Sequence, residues 1–154
     1  MKPIIVRTTV ERPRDEVYAF LDVLANHVPF NDHYMADAEL SGPATGPGGR
    51  MHARVLAPGR SEWFDLETIE AREPSLLIER TVAAGDKRRT RGTYRLDEAG
   101  PGATRVTFEF VTEAAPAYDK PFAPFARRWL VKQLERAMAR LKGQVEAAPA
   151  ARAA

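Results

Sequence analysis

Six residues able to do acid, base or ion-pair chemistry lie in segments patterned as β-strands: Asp65, Glu67, Arg80, Arg91, Tyr94 and Glu109. Trp63 to Ile69 is the stretch that raises the question. If Trp63 and Ile69 face the interior, the two-residue period of a strand brings Asp65 and Glu67 to the same face. A carboxylate in an apolar interior has its charged form disfavoured, so its pKa rises and it can act as an acid or base near neutral pH. Arg80, Arg91 or Glu109 on neighbouring strands could pair with that carboxyl or orient a ligand carbonyl. Tyr94 would add a phenol, which needs a partner when buried. A strand irregularity such as a β-bulge gives the opposite outcome, with the charges turned to solvent. Spacing alone designates no catalytic residue.

The other chemistry-bearing patterns exclude more than they suggest. His27, His33 and His52 show neither H-x-x-x-H nor two-His-one-carboxylate spacing. Surface loop positions are expected for all three, and no metal site. G-x-S-x-G is absent, so there is no nucleophile elbow. The glycine-rich GPATGPGGR lacks the G-K-[ST] ending and precedes a strand, not a helix. It therefore reads as a mobile flap at a cavity mouth and not as a phosphate cradle. Lys87, Arg88, Arg89 and Arg91 have Thr90 and Gly92 between and beside them, not stacking aromatics. The run suits solubility and protection of a strand edge, and no nucleic-acid partner is expected. No cofactor is expected either.

These groups must be carried by a particular order of elements. Ile4 to Glu11 alternates and is β-branched, a strand. After Pro13, Asp15 and Glu16 suit a helix N-terminus, and Val17, Phe20, Leu21 and Leu24 share one face of a short helix. Asn26 to Asp32 contains Pro29 and makes a second short turn or helix. Strands follow at Ala36 to Leu40, Met51 to Ala57, Trp63 to Arg72, Leu76 to Ala83, Arg89 to Asp97 and Thr104 to Thr112, separated by Gly- and Pro-rich turns. Phe122 to Val145 closes the chain as a long amphipathic helix, with Leu130, Leu134, Met138, Leu141 and Val145 at steps of three and four. The short connections favour antiparallel neighbours. The expected fold is α+β: a curved antiparallel sheet of about seven strands around the C-terminal helix.

At 154 residues and 44% hydrophobic, the chain is long enough for one buried core. Residues 1–146 are expected to form a single domain and 147–154 a disordered Ala-rich tail. The net charge of +2 implies no polyelectrolyte partner, and the absence of Cys excludes disulfides and thiolate chemistry. The opening MKPIIVRTTVERP is too short and too charged for a signal peptide or a membrane span. A cytoplasmic monomer or homodimer without membrane insertion is expected.

Four segments carry a resemblance: VRTTVERPRDEVYAFLDV, NHVPFNDHY, SGPATGPGGR and GPGATRVTFEF. In that order they resemble the polyketide cyclase/dehydrase-like branch of the START-like (SRPBCC) superfamily, the helix-grip fold shared with birch-pollen-allergen-type proteins. They correspond to the strand-Pro-helix opening, the aromatic-polar step, the Gly-rich loop and the last strand. Phe30-Asn31 stands where Trp-Asn or Trp-His is commoner in the family. The likeness covers about residues 3 to 146 and speaks for fold more than for activity. It implies a hydrophobic cavity between sheet and last helix that binds or transforms lipids, polyketide intermediates or other apolar molecules.

The residues agree at one point. Phe122, Phe125 and Trp129 widen the apolar face of the last helix beyond what a narrow stripe needs. With Trp63, Phe108 and Phe110 they are the expected ligand-binding set, although each is also a plausible core residue. The leading expectation is a binder of a small hydrophobic or aromatic ligand. The rivals are a cyclase, dehydratase or aromatase with a cavity carboxylate or Tyr, and a co-chaperone-like interaction module.

Overall fold

The computed structural model describes residues 2–149. Ile4–Val10 (β1), Met35–Ser41 (β2), Arg50–Ala57 (β3), Arg60–Arg72 (β4), Leu76–Ala83 (β5), Arg88–Glu98 (β6) and Thr104–Ala114 (β7) form one curved sheet. Its order is β1-β7-β6-β5-β4-β3-β2, and every neighbouring pair is antiparallel. Short turns make β2 to β7 a meander. The two helices after β1 carry the chain across to the far edge, so β1 is free to pair with β7.

Pro13 is in extended conformation at the head of α1 (Arg14–Asp22), whose first turn carries Asp15 and Glu16 where negative charge suits the helix dipole. Val17, Tyr18 and Leu21 are its buried side. A 3-10 turn, Leu24–Asn26, leads into α2 (His27–Asn31). Pro29 is tolerated there because the N–H groups of a first turn have no intrahelical acceptor.

A second 3-10 turn, Ala117–Phe122, precedes α3 (Ala123–Ala147), with Pro124 in the first turn. Leu134, Ala137, Met138, Leu141 and Val145 form its buried stripe. Both ends are tied to β1 or to the residues flanking it. Arg127 donates to the carbonyls of Lys2 and Pro3, Lys142 donates to the Thr9 carbonyl at 2.6 Å, and the Glu11 N–H donates to Glu146 at 2.7 Å. Ala147 is therefore helical, one residue into the stretch expected as tail, and residues 150–154 of that stretch lie outside the described residues.

The concave face of the sheet packs two clusters. The larger joins β1, β5, β6 and β7 to α1, α2 and α3 through residues such as Val10, Val17, Phe30, Leu96, Val106 and Leu141. The smaller joins β3 and β4 to Leu24 through Met51, Ala53, Phe64 and Leu66.

Strand β4 takes the second of the two facings, with its charges turned to solvent. Phe64 and Leu66 point inward, paired with Ala53 and Met51 on β3, so Asp65 and Glu67 lie on the outer face with Trp63 and Ile69. The stretch offers apolar residues at both phases, and the outer phase is the one whose charges find cross-strand partners. Asp65 accepts from His52 Nδ1 at 2.8 Å, and Glu67 lies 3.2 Å from Arg50. A bulge does occur, between Thr68 and Glu70, beyond the residues it would have had to turn.

Candidate functional site

Where the two clusters meet, a chamber of about 30 Å³ remains between sheet and α3. Phe30, Tyr34, Tyr94, Phe108, Leu134 and Met138 line it from the larger cluster, Met51 and Leu66 from the smaller. Three of the chain's four methionines, Met35, Met51 and Met138, are in its wall. As it stands it has room for about one or two waters.

Two ionisable side chains face each other in this apolar wall. Glu79 is on the inward phase of β5, level with Leu77 and Ala83, and its side chain is 13% exposed. Burial pushes its pKa up to about 8. Its cross-strand neighbour on β6 is Gly92. A Cβ there would stand 2.8 Å from the Phe108 ring and 3.0 Å from Glu79 Oε1, so the missing side chain is what lets carboxyl and ring share the space.

His27, the first residue of α2, is buried. Its Nε2 lies 2.7 Å from the Leu21 carbonyl, and a carbonyl only accepts, so Nε2 carries the proton and Nδ1 presents its lone pair. Nδ1 stands 3.8 Å from Glu79 Oε2. Burial lowers the His27 pKa to about 4. Burial thus favours the neutral form of both groups and works against an ion pair between them.

The surrounding rings are fixed by short contacts. His27 packs edge-on to Tyr94 at 5.5 Å, and Tyr94 packs on Phe108 at 4.5 Å. The Tyr34 hydroxyl donates to Asn31 Oδ1 at 3.0 Å, and Asn31 Nδ2 donates to the His27 carbonyl at 2.8 Å. No hydrogen bond from another described residue reaches the Glu79 carboxyl or the Tyr94 hydroxyl, and both residues line the chamber. Burial raises the pKa of both tyrosines, with the nearby Glu79 adding to it, so each stays a neutral phenol.

The sequence pointed to this site only in part. Tyr94 and Phe108 line the chamber, and Phe110 and Trp129 are half-buried at the larger cluster, with Trp129 edge-on to Tyr34 at 6.1 Å. Phe122 and Phe125 are 66% and 70% exposed, a correction: the helix turns its wide aromatic start outward. Trp63 is also on the outside, stacked at 4.7 Å on His52 with the Arg54 guanidinium 5.7 Å from the ring centre.

Of the charged candidates, Asp65, Glu67 and Arg80 line an open depression on the convex face, and Arg91 is exposed. Glu109, next to inward Phe108, takes the opposite phase of β7. His27 contradicts the surface assignment of the histidines, whereas His52 is exposed and His33 is half-buried, its Nε2 donating to the Gln133 carbonyl at 3.0 Å. Among the described residues no group of three or more His, Cys, Asp or Glu is placed to hold a metal. The glycine-rich loop read as a flap is pinned. Gly46 N–H donates to Asp22 at 3.0 Å, Gly48 N–H to the Thr68 carbonyl at 2.9 Å, and Thr68 N–H to the Gly49 carbonyl at 2.9 Å.

Residues 4–146 match the family described as polyketide cyclase/dehydrase and lipid transport. The chain belongs to that family. This polyketide cyclase/dehydrase family member has the START-like helix-grip fold, which solved structures repeat at low identity. TTHA0849 from Thermus thermophilus is 17% identical, with a TM-score of 0.76 over 94% of this chain and 97% of that one. The Zhui aromatase/cyclase from Streptomyces sp. R1128 is 14% identical, with a TM-score of 0.74 over 94% and 93%. Norcoclaurine synthase from Thalictrum flavum is 16% identical, with a TM-score of 0.70 over 94% and 92%. No curated protein matches the sequence of this family member. Among its described residues no helix is long and apolar enough to cross a membrane.

Proposed function

We propose that this protein binds one small apolar or aromatic molecule, lipid- or polyketide-like, in the chamber between sheet and α3. The observation that carries this reading is the composition of the wall: aromatic and aliphatic side chains around the single Glu79–His27 pair. Such a lining, with few convergent polar groups of shifted pKa, is typical of a small-molecule site. At about 30 Å³ the chamber must enlarge to take such a molecule, and three methionines in its wall support that. Unbranched and flexible, they can re-pack to enlarge the chamber for a ligand that a rigid aliphatic wall would refuse. The family is in keeping with this, as its description names lipid transport.

The test is native mass spectrometry of the purified protein and of its organic extract, with a thermal-shift screen of lipids, polyketides and aromatic compounds. A ligand at one hundred times its dissociation constant adds about 2.7 kcal/mol. Absence of any co-purifying molecule and of any shift across the apolar compounds overturns the reading.

A second reading, an acid–base enzyme of cyclase or dehydratase type, is favoured by the same pair. Glu79 as neutral acid and His27 Nδ1 as free base stand within one substrate's reach. Turnover lost in both Glu79→Gln and His27→Gln, with ligand affinity kept, is the outcome it requires.

A further inference from the structure

The chamber holds one carboxyl and no cation. Neither Lys nor Arg is among its lining residues, and His27 is neutral. Around Glu79 the wall is built largely of rings, with His27, Phe30, Tyr34, Tyr94 and Phe108 all lining the same space. Ring faces attract a desolvated cation, and a buried carboxylate gains most from a charge-assisted hydrogen bond. We propose that the natural occupant is an apolar amine, its nitrogen seated against the Glu79 carboxyl among the rings of Tyr94 and Phe108. This rests on the reading of the chamber as a ligand site and narrows it to one chemical class. An apolar carboxylic acid would set two acids together without a cation. A neutral alcohol or ketone would gain a hydrogen bond from Glu79 but nothing from the rings' attraction for charge.

The assignment has a signature in protons. Glu79 is faced by His27 from α2, by Tyr34 just beyond α2 and by Tyr94 from β6; Phe108 from β7 and Leu134, Ala137 and Met138 from α3 do not titrate. Asp22 acts on His27 from the end of α1. With the phenols raised and His27 lowered, Glu79 is the one chamber group that changes charge between mildly acidic and mildly basic pH. An ammonium ligand and a neutral carboxyl together carry one more proton than the complex they form. That proton goes to solvent, whichever partner keeps the shared one.

The experiment is isothermal titration calorimetry of benzylamine, benzyl alcohol and benzoate, in buffers of different ionisation enthalpy and across pH. Benzylamine is expected to bind tightest and to release one proton per molecule at pH 7. Its affinity should rise up to about tenfold per pH unit until Glu79 ionises near pH 8. Glu79→Gln is expected to lose tenfold or more in benzylamine affinity and to flatten the pH dependence, with benzyl alcohol still bound. The wild-type proton count decides by itself if that variant fails to fold. Equal binding of amine and alcohol without proton release, or tighter binding of benzoate, overturns the amine and leaves the ligand site standing. Failure of all three to bind overturns the amine; only the wider screen of apolar compounds overturns the site.

Discussion

Glu79 on β5 lies directly across from Gly92 on β6, and the carboxyl occupies the space that any side chain at Gly92 would claim. A hydrogen at that one position thus sets both the reach of the acid into the chamber and the seat of the Phe108 ring.

Gly92→Ala is expected to destabilise the protein by about 1–3 kcal/mol, because the new methyl meets a packed ring and not a movable chain end. Urea unfolding measures it. The same variant should weaken binding of any chamber ligand, and a variant as stable as wild type would show that Phe108 yields at no cost.

Stability should fall between pH 6.5 and 8 through Glu79. In the fold its carboxyl titrates near 8 against 4.5 in the unfolded chain, so over that span the native state holds the extra proton. A proton held only by the native state means stability lost as pH rises, up to about 1.4 kcal/mol per unit. His27 has the opposite sign: the unfolded imidazole protonates near 6.5 and the native one near 4, so its contribution grows with pH across that span. The two slopes cancel between 4.5 and 6.5. Denaturant unfolding of wild type and Glu79→Gln at a series of pH values reads the difference, and a difference that does not change from 6.5 to 8 refutes the buried acid.

Leu141 and Phe125 should behave oppositely although both are apolar residues of α3. Leu141 is fully buried, and Leu141→Ala is expected to cost about 2–5 kcal/mol. Phe125 is exposed, and Phe125→Ala should stay within about 0.5 kcal/mol and leave ligand affinity unchanged. A loss of affinity in Phe125→Ala would return the start of α3 to the binding site.

Arg88 joins three segments: it donates to Glu62 on β4 and, in a bidentate pair, to Asp119 in the turn before α3. Arg88→Ala takes the cation from Glu62 and leaves Asp119 with Arg60 alone, at 3.6 Å. Faster hydrogen exchange in residues 117–122 is expected, with a stability loss of about 1–3 kcal/mol, held to the low end by the partial exposure of the acids. Unchanged exchange in that segment would show that the turn is held by other contacts.

Much of the fold was legible because its signals are local. Leu76–Ala83 matches the predicted strand at both ends, and α3 begins one residue after its predicted start. The site was less so. Leu76, Leu77 and Ile78 are all apolar, which hides the phase of β5 and with it the inward turn of Glu79. Only the pairing of Glu79 with Gly92, a residue that reads in isolation as a weak point in a strand, shows that a side chain has been removed to admit another. His27 looked like a loop residue beside Pro29, and the Leu21 carbonyl that fixes its tautomer is reached by the fold of the 3-10 turn.

The sequence by itself determined the element order, the antiparallel meander and the long helix that must be covered, because periodicity, turn residues and short connections act within a few residues. Tertiary structure alone decided which carboxylate is buried. Strands β4 and β5 carry charges and apolar residues on both phases, and cross-strand partners sent Asp65 and Glu67 outward to His52 and Arg50. Glu79 had a glycine opposite it and was drawn in, to a chamber where burial, and not any neighbour in sequence, sets its chemistry.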